Sequence, residues 1–253
     1  MEPQEVIRLI TDFIAKEMQI RNSGGVIVGL SGGLDSSVTA ALSVKALGPR
    51  CVFGLILPDS NITPKKDIYD AQQLAKSMRI RYRTIDIGSI KKPLIQMLPR
   101  NKLAQGNLTS RLRMSILYYY AAIMHRLVLG TTDKSELRLG YYTKHGDGAA
   151  DIFPIADLYK TEVRNLARHL QIPFTILQKE SSPRLWRAQT AEREIGLPYE
   201  EIDNILRELE AHALYKSKLN PKYLQRVKSL IENNKHKQEM PPICKVNNVE
   251  NDK

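Results

Sequence analysis

The sequence predicts an α/β fold, a doubly wound parallel sheet flanked by helices of Rossmann-like type. Three features carry that reading: short, almost wholly apolar runs of the kind buried on both faces of a parallel sheet, stretches at helical spacing between them, and glycine or proline at the changeovers. Strands alternating with helices need crossover connections, which are right-handed and place helices on both faces of one sheet.

Glu5 to Met18 sets Val6, Ile7, Ile10, Phe13 and Ile14 along one face of an opening helix, and Asn22-Ser23-Gly24-Gly25 ends it. VIVGL (Val26 to Leu30) follows as the first strand, and the pattern is helical from Ser36 to Leu47, where Gly48-Pro49 stops it. CVFGLIL (Cys51 to Leu57) is the second strand, PDSNITP a loop, and Lys65 to Met78 a helix with Ile68, Ala71, Leu74 and Ala75 inward. RYRTIDI (Arg81 to Ile87) reads as the third strand. A long helix from about Thr109 to His125, with Leu112, Ile116, Tyr120 and Ile123 on one face, feeds a fourth, LVLGT (Leu127 to Thr131). The last third is helical: Lys160 to Leu170, Tyr199 to Leu209, and a helix opened by Pro221 at a first-turn position and running through Ile231. Residues 1–246 read as a single domain, and 247–253 (NNVENDK) as a polar, frayed tail.

At 253 residues, 42% hydrophobic and 26% charged, the composition suits a soluble globular unit with a sizeable core. No run approaches the roughly 20 apolar residues of a membrane-spanning helix, and the opening segment lacks the pattern of a secretory signal. Two cysteines, Cys51 and Cys244, are too few for a disulfide framework, so a cytoplasmic setting is expected. The net charge of +11 suits phosphate-rich small ligands or a solvated basic surface. Nucleic acid is not an expected partner, because the cations are spread along the chain and are not interleaved with its 6% of aromatic residues.

Ser31-Gly32-Gly33-Leu34-Asp35-Ser36-Ser37 sits between a strand and a helix N-terminus, where free backbone N–H groups and the helix dipole favour phosphate. The glycines permit close approach, and the Ser31 and Ser36 hydroxyls add donors. A carboxylate facing phosphates needs a divalent cation between them, so Asp35 reads as a magnesium ligand. Glu136 follows the fourth strand, and in parallel sheets ligands gather beyond the carboxyl ends of strands; it can meet Asp35 across one magnesium ion, with Thr131 placed to donate to a phosphate. No Gly-Lys-Ser/Thr is present, so this is not a Walker A loop. Taken singly, several residues have plainer readings: Arg111 and Arg113 as the wet edge of a helix, Lys144-His145 as solvated loop, Lys179-Glu180 as loop charge, Tyr118-Tyr119-Tyr120 as core and interface packing. His125, His169 and His212 lack metal-ligand spacing, and no zinc site is expected.

The SGGLDSS turn resembles the pyrophosphatase loop, SGGxDS, of enzymes that adenylate a substrate and release pyrophosphate. That class spans GMP, asparagine and argininosuccinate synthetases and tRNA-thiolating enzymes. The rest of the chain narrows it. Asn107-Leu108-Thr109-Ser110-Arg111-Leu112-Arg113-Met114, Gly130-Thr131-Thr132-Asp133-Lys134-Ser135-Glu136, the stretch Gly140 to Ile155 (GYYTKHGDGAADIFPI) and Leu158-Tyr159-Lys160-Thr161 arrive in order and look like the successive motifs of NAD synthetases. Ser181 to Trp186 and Glu192 to Gly196, with Tyr199 and Asp203, are similar to that family's mobile loop and following helix, and His236-Lys237 before Pro241-Pro242 to its C-terminal segment.

The resemblance implies an adenine-nucleotide alpha-hydrolase-like fold and ATP-dependent amidation of nicotinic acid adenine dinucleotide (deamido-NAD) to NAD, the last step of NAD biosynthesis. The carboxylate would be activated as an acyl-adenylate and ammonia would displace AMP, with no glutaminase domain in the chain. It implies ATP contacts from Gly29, Leu30, Ser31, Gly32, Gly33, Leu34, Asp35, Ser36, Arg113, Thr131, Lys160 and Ser182, with Asp35 and Lys160 catalytic and magnesium on Asp35 and Glu136. Arg111, Lys144, Asp151, His236 and Lys237 would hold deamido-NAD, with Asp147 a weaker candidate. A homodimer, with each dinucleotide site across the interface, is implied as well. Alternatives are another ligase of the same loop class, such as a tRNA-modifying enzyme, or a basic nucleic-acid-binding protein with an inactive ATP loop. The chain lacks clustered zinc-type cysteines and keeps both Asp35 and Glu136, against each in turn. The chain also departs from the family. Ser181-Ser182-Pro183-Arg184 stands where Pro-Ser/Thr-Ala is usual, Ala191 where an acid is usual, and Thr109 where glutamine is common. Ser182 keeps the hydroxyl, Pro183 stiffens the backbone, and Arg184 and Arg187 are expected to bring positive charge to the polyanionic site and hold this loop closed on ligand binding.

Overall fold

A computed structural model describes residues 2–211 and 219–246; the expected frayed tail and His212 lie outside them. Four strands, β1 (Val26–Gly29), β2 (Val52–Ile56), β3 (Arg81–Thr84) and β4 (Leu127–Leu129), pair in parallel in the order β3-β2-β1-β4. The chain steps outward from β1 through β2 to β3, then returns to β4 on the other side of β1. The carboxyl ends of β1 and β4 therefore flank the point where the winding reverses, the place where parallel sheets open a crevice.

Strands β1, β2 and β4 are apolar because both faces are covered, while the edge strand β3, Arg-Tyr-Arg-Thr, is largely exposed. Val26, Val28, Val52 and Ile56 pack under α2 (Leu34–Leu47) and α3 (Lys65–Ser77), while Ile27, Leu55 and Val128 pack against α5 (Lys102–Met124). Helix α2 is buried nearly all round, with Val38, Thr39, Ala40, Leu42 and Ser43 fully enclosed. The sheet lies on one side of it, and α1 (Pro3–Ile20) and α7 (Lys160–His169) lie on the other. A separate core gathers Leu139, Tyr159, Ile195, Tyr199, Ile202, Ile205, Leu206 and Val227. It joins α6 (Lys134–Leu139), α9 (Ala191–Ile195), α10 (Tyr199–Glu210) and α11 (Pro221–Asn234).

Among the boundaries that differ from the sequence reading, three bear on the site. Helix α5 starts at Lys102, not Thr109, with Asn101 as N-cap accepting from the Ala104 amide at 2.9 Å. Polar residues and Gly106 mask this first stretch. The glycine is there because a Cβ would come within 3.0 Å of Trp186 and 3.1 Å of Leu185. The third strand ends at Thr84, since Asp86 turns to accept from the amides of Ser60 and Gly88. The fourth ends at Leu129, short of Thr131. Three short helices lie outside the sequence reading, α4 (Gly88–Met97), which contains Pro93, α6 and α8 (Phe174–Leu177), while α9 falls where the resemblance placed a helix after the loop.

Candidate functional site

Between β1 and α2 the chain makes the turn Leu30-Ser31-Gly32-Gly33. Gly33 is an extended N-cap without a side-chain cap, so the first amides of α2 are left for a ligand. The hydroxyls hold the turn together: Ser31 and Ser36 Oγ lie 2.9 Å apart, and Ser36 donates to the Gly33 carbonyl at 3.1 Å. Gly32 has φ +73, and a Cβ there would meet the Asp67 carbonyl of α3 at 2.2 Å, so this position admits only glycine. A cleft opens above the turn, lined by Gly29, Leu30, Ser31, Asp35, Ser36, Arg113, Thr131, Glu136 and Ser182, with an apolar wall of Ile68, Met114 and Leu117.

At its base, Asp35 of α2, Asp133 and Glu136 bring carboxylate oxygens within 4.8 Å of one another. Asp133 is the N-cap of α6, accepting from the Glu136 amide at 2.8 Å, while Glu136 reaches back to the Asp133 amide at 3.4 Å: a capping box. The Lys160 ammonium, at the N-terminus of α7, lies 2.6 Å from Asp133, 2.8 Å from Asp35 and 3.2 Å from Glu136. It also sits 5.1 Å from the centre of the Tyr199 ring. Lys160 and Asp133 are wholly buried. Burial alone would push the lysine down; Asp133, Asp35 and Glu136 outweigh it and hold the ammonium well above the ordinary lysine range. Burial pushes the Asp133 carboxyl up to about 6 and, together with the Asp133 charge, lifts Glu136 well above the carboxylate range.

A second group of cations gathers where α5, the 140–144 stretch and the C-terminal segment meet. Arg111 donates to the Lys144 carbonyl at 3.2 Å, Lys144 Nζ to the His236 carbonyl at 2.5 Å, and Lys237 Nζ to the carbonyls of Gly140 at 2.6 Å and Tyr142 at 2.9 Å. The structure thus gathers four of the five residues expected for the second substrate. Asp151 is engaged elsewhere, accepting from the Val128 amide at 2.7 Å and the Tyr118 hydroxyl at 3.4 Å, where burial and Asp151 raise the phenol to about 12. Asp147 faces the cleft and accepts from Ser110 at 2.6 Å.

Segment 179–190 covers the cleft, with Ser182, Pro183, Arg184 and Leu185 on its lining. Arg113 ties the cover to the sheet, donating to the carbonyls of Leu57 at 3.1 Å and Pro183 at 3.3 Å. Trp186 lies under Lys102, whose ammonium is 4.6 Å from the ring centre.

Of the twelve residues expected at ATP, seven lie on the lining beside Asp35: Gly29, Leu30, Ser31, Ser36, Arg113, Thr131 and Ser182. Leu34 instead points into the core with Val38 and Ile155, and Gly32 backs onto α3. Gly33 supplies the cap, and Lys160 lies beneath the carboxylates and off the lining. Asp133 was missed; its signal was present, an aspartate three residues before a glutamate at a helix start. Lys179 is not loop charge but a half-buried clamp, and Arg184 and Arg187 meet protein partners, Asp67 and the Asn61 carbonyl, with Arg184 still on the cleft lining.

A parallel sheet flanked by helices, with a glycine-serine turn at its switch point and a carboxylate group beneath, defines a Rossmann-like α/β protein of the pyrophosphatase-loop type. The NAD synthase family model matches residues 6–241, and the chain belongs to that family, ligases of NAD biosynthesis. It is 42% identical over 250 residues to the NH(3)-dependent NAD(+) synthetase of Archaeoglobus fulgidus, covering 98% of this chain and 100% of that one. Among solved structures, the NMN synthetase of Francisella tularensis superposes with a TM-score of 0.88 at 34% identity, over 96% of this chain and 99% of the other. The NH3-dependent NAD synthetase of Campylobacter jejuni gives 0.84 at 34% identity, over 97% and 100%.

Proposed function

We propose that the chain amidates deamido-NAD to NAD, using ATP to form an acyl-adenylate and ammonia to displace AMP. The observation that carries this reading is the convergence of the glycine-serine turn, the carboxylate group and Lys160 at the switch point of the sheet. A carboxylate is a poor acyl donor, because its oxygen is a poor leaving group. Its oxygen attacks the α-phosphorus of ATP, the bond from that phosphorus to the β-phosphate bridge breaks, and pyrophosphate leaves. Ammonia then adds to the acyl carbon, the bond to the phosphate oxygen breaks, AMP leaves, and the nitrogen gives up a proton. Ser31, Ser36 and the α2 amides hold phosphate oxygens; Thr131 and Ser182 reach them from either side. Lys160 holds three mutually repelling carboxylates in one geometry and offsets charge developing on pyrophosphate. Arg111, Lys144, His236 and Lys237 meet the dinucleotide, and most of the acceleration comes from positioning two large anions.

The base of the cleft suits magnesium: three carboxylates converge, and Asp35 Oδ1 is buried without a hydrogen-bond donor. Asp35 and Glu136 would hold the ion, and when bound it supplies charge neutralisation at the phosphates. A homodimer accords with the exposed apolar side chains Leu94, Met97, Leu98, Leu103, Tyr119 and Ile123 on α4, α5 and the link between them. A cytoplasmic setting accords with free Cys51 and Cys244; among the described residues no helix is long and apolar enough to cross a membrane.

The similarity to the NMN synthetase favours a second reading, in which the acceptor is nicotinic acid mononucleotide. The test offers the purified chain ATP, magnesium and ammonium chloride with either nucleotide and separates products by chromatography. NAD, AMP and pyrophosphate in equal amounts from the dinucleotide are expected, with glutamine unable to replace ammonium. Amide formed only from the mononucleotide would install the second reading.

A further inference from the structure

The cover over the cleft is fastened through a junction that the chemistry above does not use. Asp67 lies on the first turn of α3 and is buried. Its backbone carbonyl abuts Gly32 so closely that the phosphate turn cannot shift toward α3. Its side chain receives two cations from the cover: Lys179 Nζ at 2.8 Å on Oδ1 and Arg184 Nε at 2.9 Å on Oδ2. Lys179 also lies 2.6 Å from Asp70 and donates to the Gly32 carbonyl at 2.8 Å. Two buried acids and two half-buried cations thus balance in one junction, with the phosphate turn, α3 and the cover each contributing. The cover's backbone is bent to reach it: Arg184 and Ala188 adopt φ +52 and +55, a left-handed conformation that non-glycine residues rarely take without compensation.

We propose that Asp67 is a positioning residue for the adenylate chemistry: through Arg184 and Lys179 it registers segment 179–190 on the phosphate turn, setting Ser182 over the activated carboxylate and excluding water. This rests on the ligase reading above. What the junction prevents is hydrolysis: water adds to the acyl carbon, the acyl carbon–oxygen bond to phosphate breaks, AMP leaves with the bonding electrons, and the acid formed gives its proton to solvent. A loosened cover spends ATP without making amide.

Trp186, the chain's single tryptophan, lies in this segment, so its fluorescence reports the cover alone. The experiment compares the full chain with Asp67→Asn, Arg184→Ala and Arg184→Lys, by acrylamide quenching of Trp186 and by AMP released per amide under limiting ammonium. Quenching about twofold stronger in Asp67→Asn and Arg184→Ala is expected from local opening of the segment. AMP per amide should rise severalfold in both, with Arg184→Lys returning part of the way and the two Arg184 variants melting close to the parent. Should Asp67→Asn not fold, Arg184→Ala decides, since Arg184 is only half-buried. Unchanged quenching in Arg184→Ala overturns the proposal whether or not the chain proves to be a ligase. Looser quenching with AMP and amide still one to one would leave a merely structural tie and overturn it too. A parent that forms no amide, with quenching raised in the variants, would count against the ligase reading and for the junction.

Discussion

The Lys160 ammonium stands 2.6 Å from the Asp133 carboxylate, and neither side chain is exposed. The pair ties the start of α7 to the start of α6 behind the phosphate turn. Asp133 serves twice, capping α6 and holding the lysine, and through the capping box it also sets the Glu136 carboxylate. With every group ionised, three carboxylates and one ammonium leave a charge of about −2, which a single divalent cation would balance.

Asparagine at 133 tests which of these jobs matters. Asn caps a helix about as well as Asp, so α6 should persist, while Lys160 loses its nearest charged partner. The expected outcome is a melting temperature lower by a few degrees and a magnesium requirement at least about tenfold higher, since outer partners of metal ligands are worth roughly 10–100-fold. Manganese binding followed by electron paramagnetic resonance checks it without assaying activity. Unaltered metal affinity would reduce Asp133 to a cap.

Replacing Lys160 with methionine removes the cation and leaves three carboxylates converging. Stripping one partner from a buried ion pair costs on the order of 3–5 kcal/mol, so Lys160→Met should melt well below the parent in chelator. Magnesium binds the folded state and should recover part of the loss by mass action, raising the variant's melting temperature more than the parent's. Equal magnesium shifts in both proteins would show that lysine and metal do not share the carboxylates.

Asp35→Asn keeps the side chain's size at a position on the cleft lining, so the fold should survive. Loss of a preorganised electrostatic contact typically costs roughly 10²–10³-fold in turnover, and ATP–pyrophosphate exchange should fall by about that much. Full exchange at ordinary magnesium would remove Asp35 from the metal site.

Where the physics was local, the sequence sufficed. Ile27 and Val28 face opposite helical layers because adjacent strand residues point oppositely, and uninterrupted apolar runs announce that both layers exist. The Ser31 to Ser36 turn was legible because glycine and serine at a strand–helix junction have few other uses. What pattern could not supply was pairing across the chain. Lys179 looks like solvated charge beside Glu180, and only the fold brings Asp67 and Asp70 to it, more than a hundred positions earlier. The same holds for Lys160, whose surroundings bury it among acids instead of presenting it to the cleft. Gly106 hid the start of α5, because its reason, contact with Trp186, is also long-range.

The C-terminal segment offers the last test. Lys144 holds the His236 carbonyl and Lys237 holds two carbonyls of the 140–142 stretch, so cations and backbone fasten each other some distance from the phosphate turn. Removing residues from His236 onward would free Lys144 and loosen Gly140 and Tyr142 together, mixing a binding loss with a packing loss. His236→Ala separates the two. Its side chain is exposed and its anchored atom is a backbone oxygen, so the tether to Lys144 survives the substitution. If the imidazole meets the dinucleotide, His236→Ala should raise the Michaelis constant for deamido-NAD by about tenfold, one lost charge-assisted contact, and leave that for ATP within about twofold. Truncation should raise the dinucleotide constant further while still sparing ATP. Parallel increases for both substrates in His236→Ala would mean that the histidine supports the shape of the site and does not contact the second substrate.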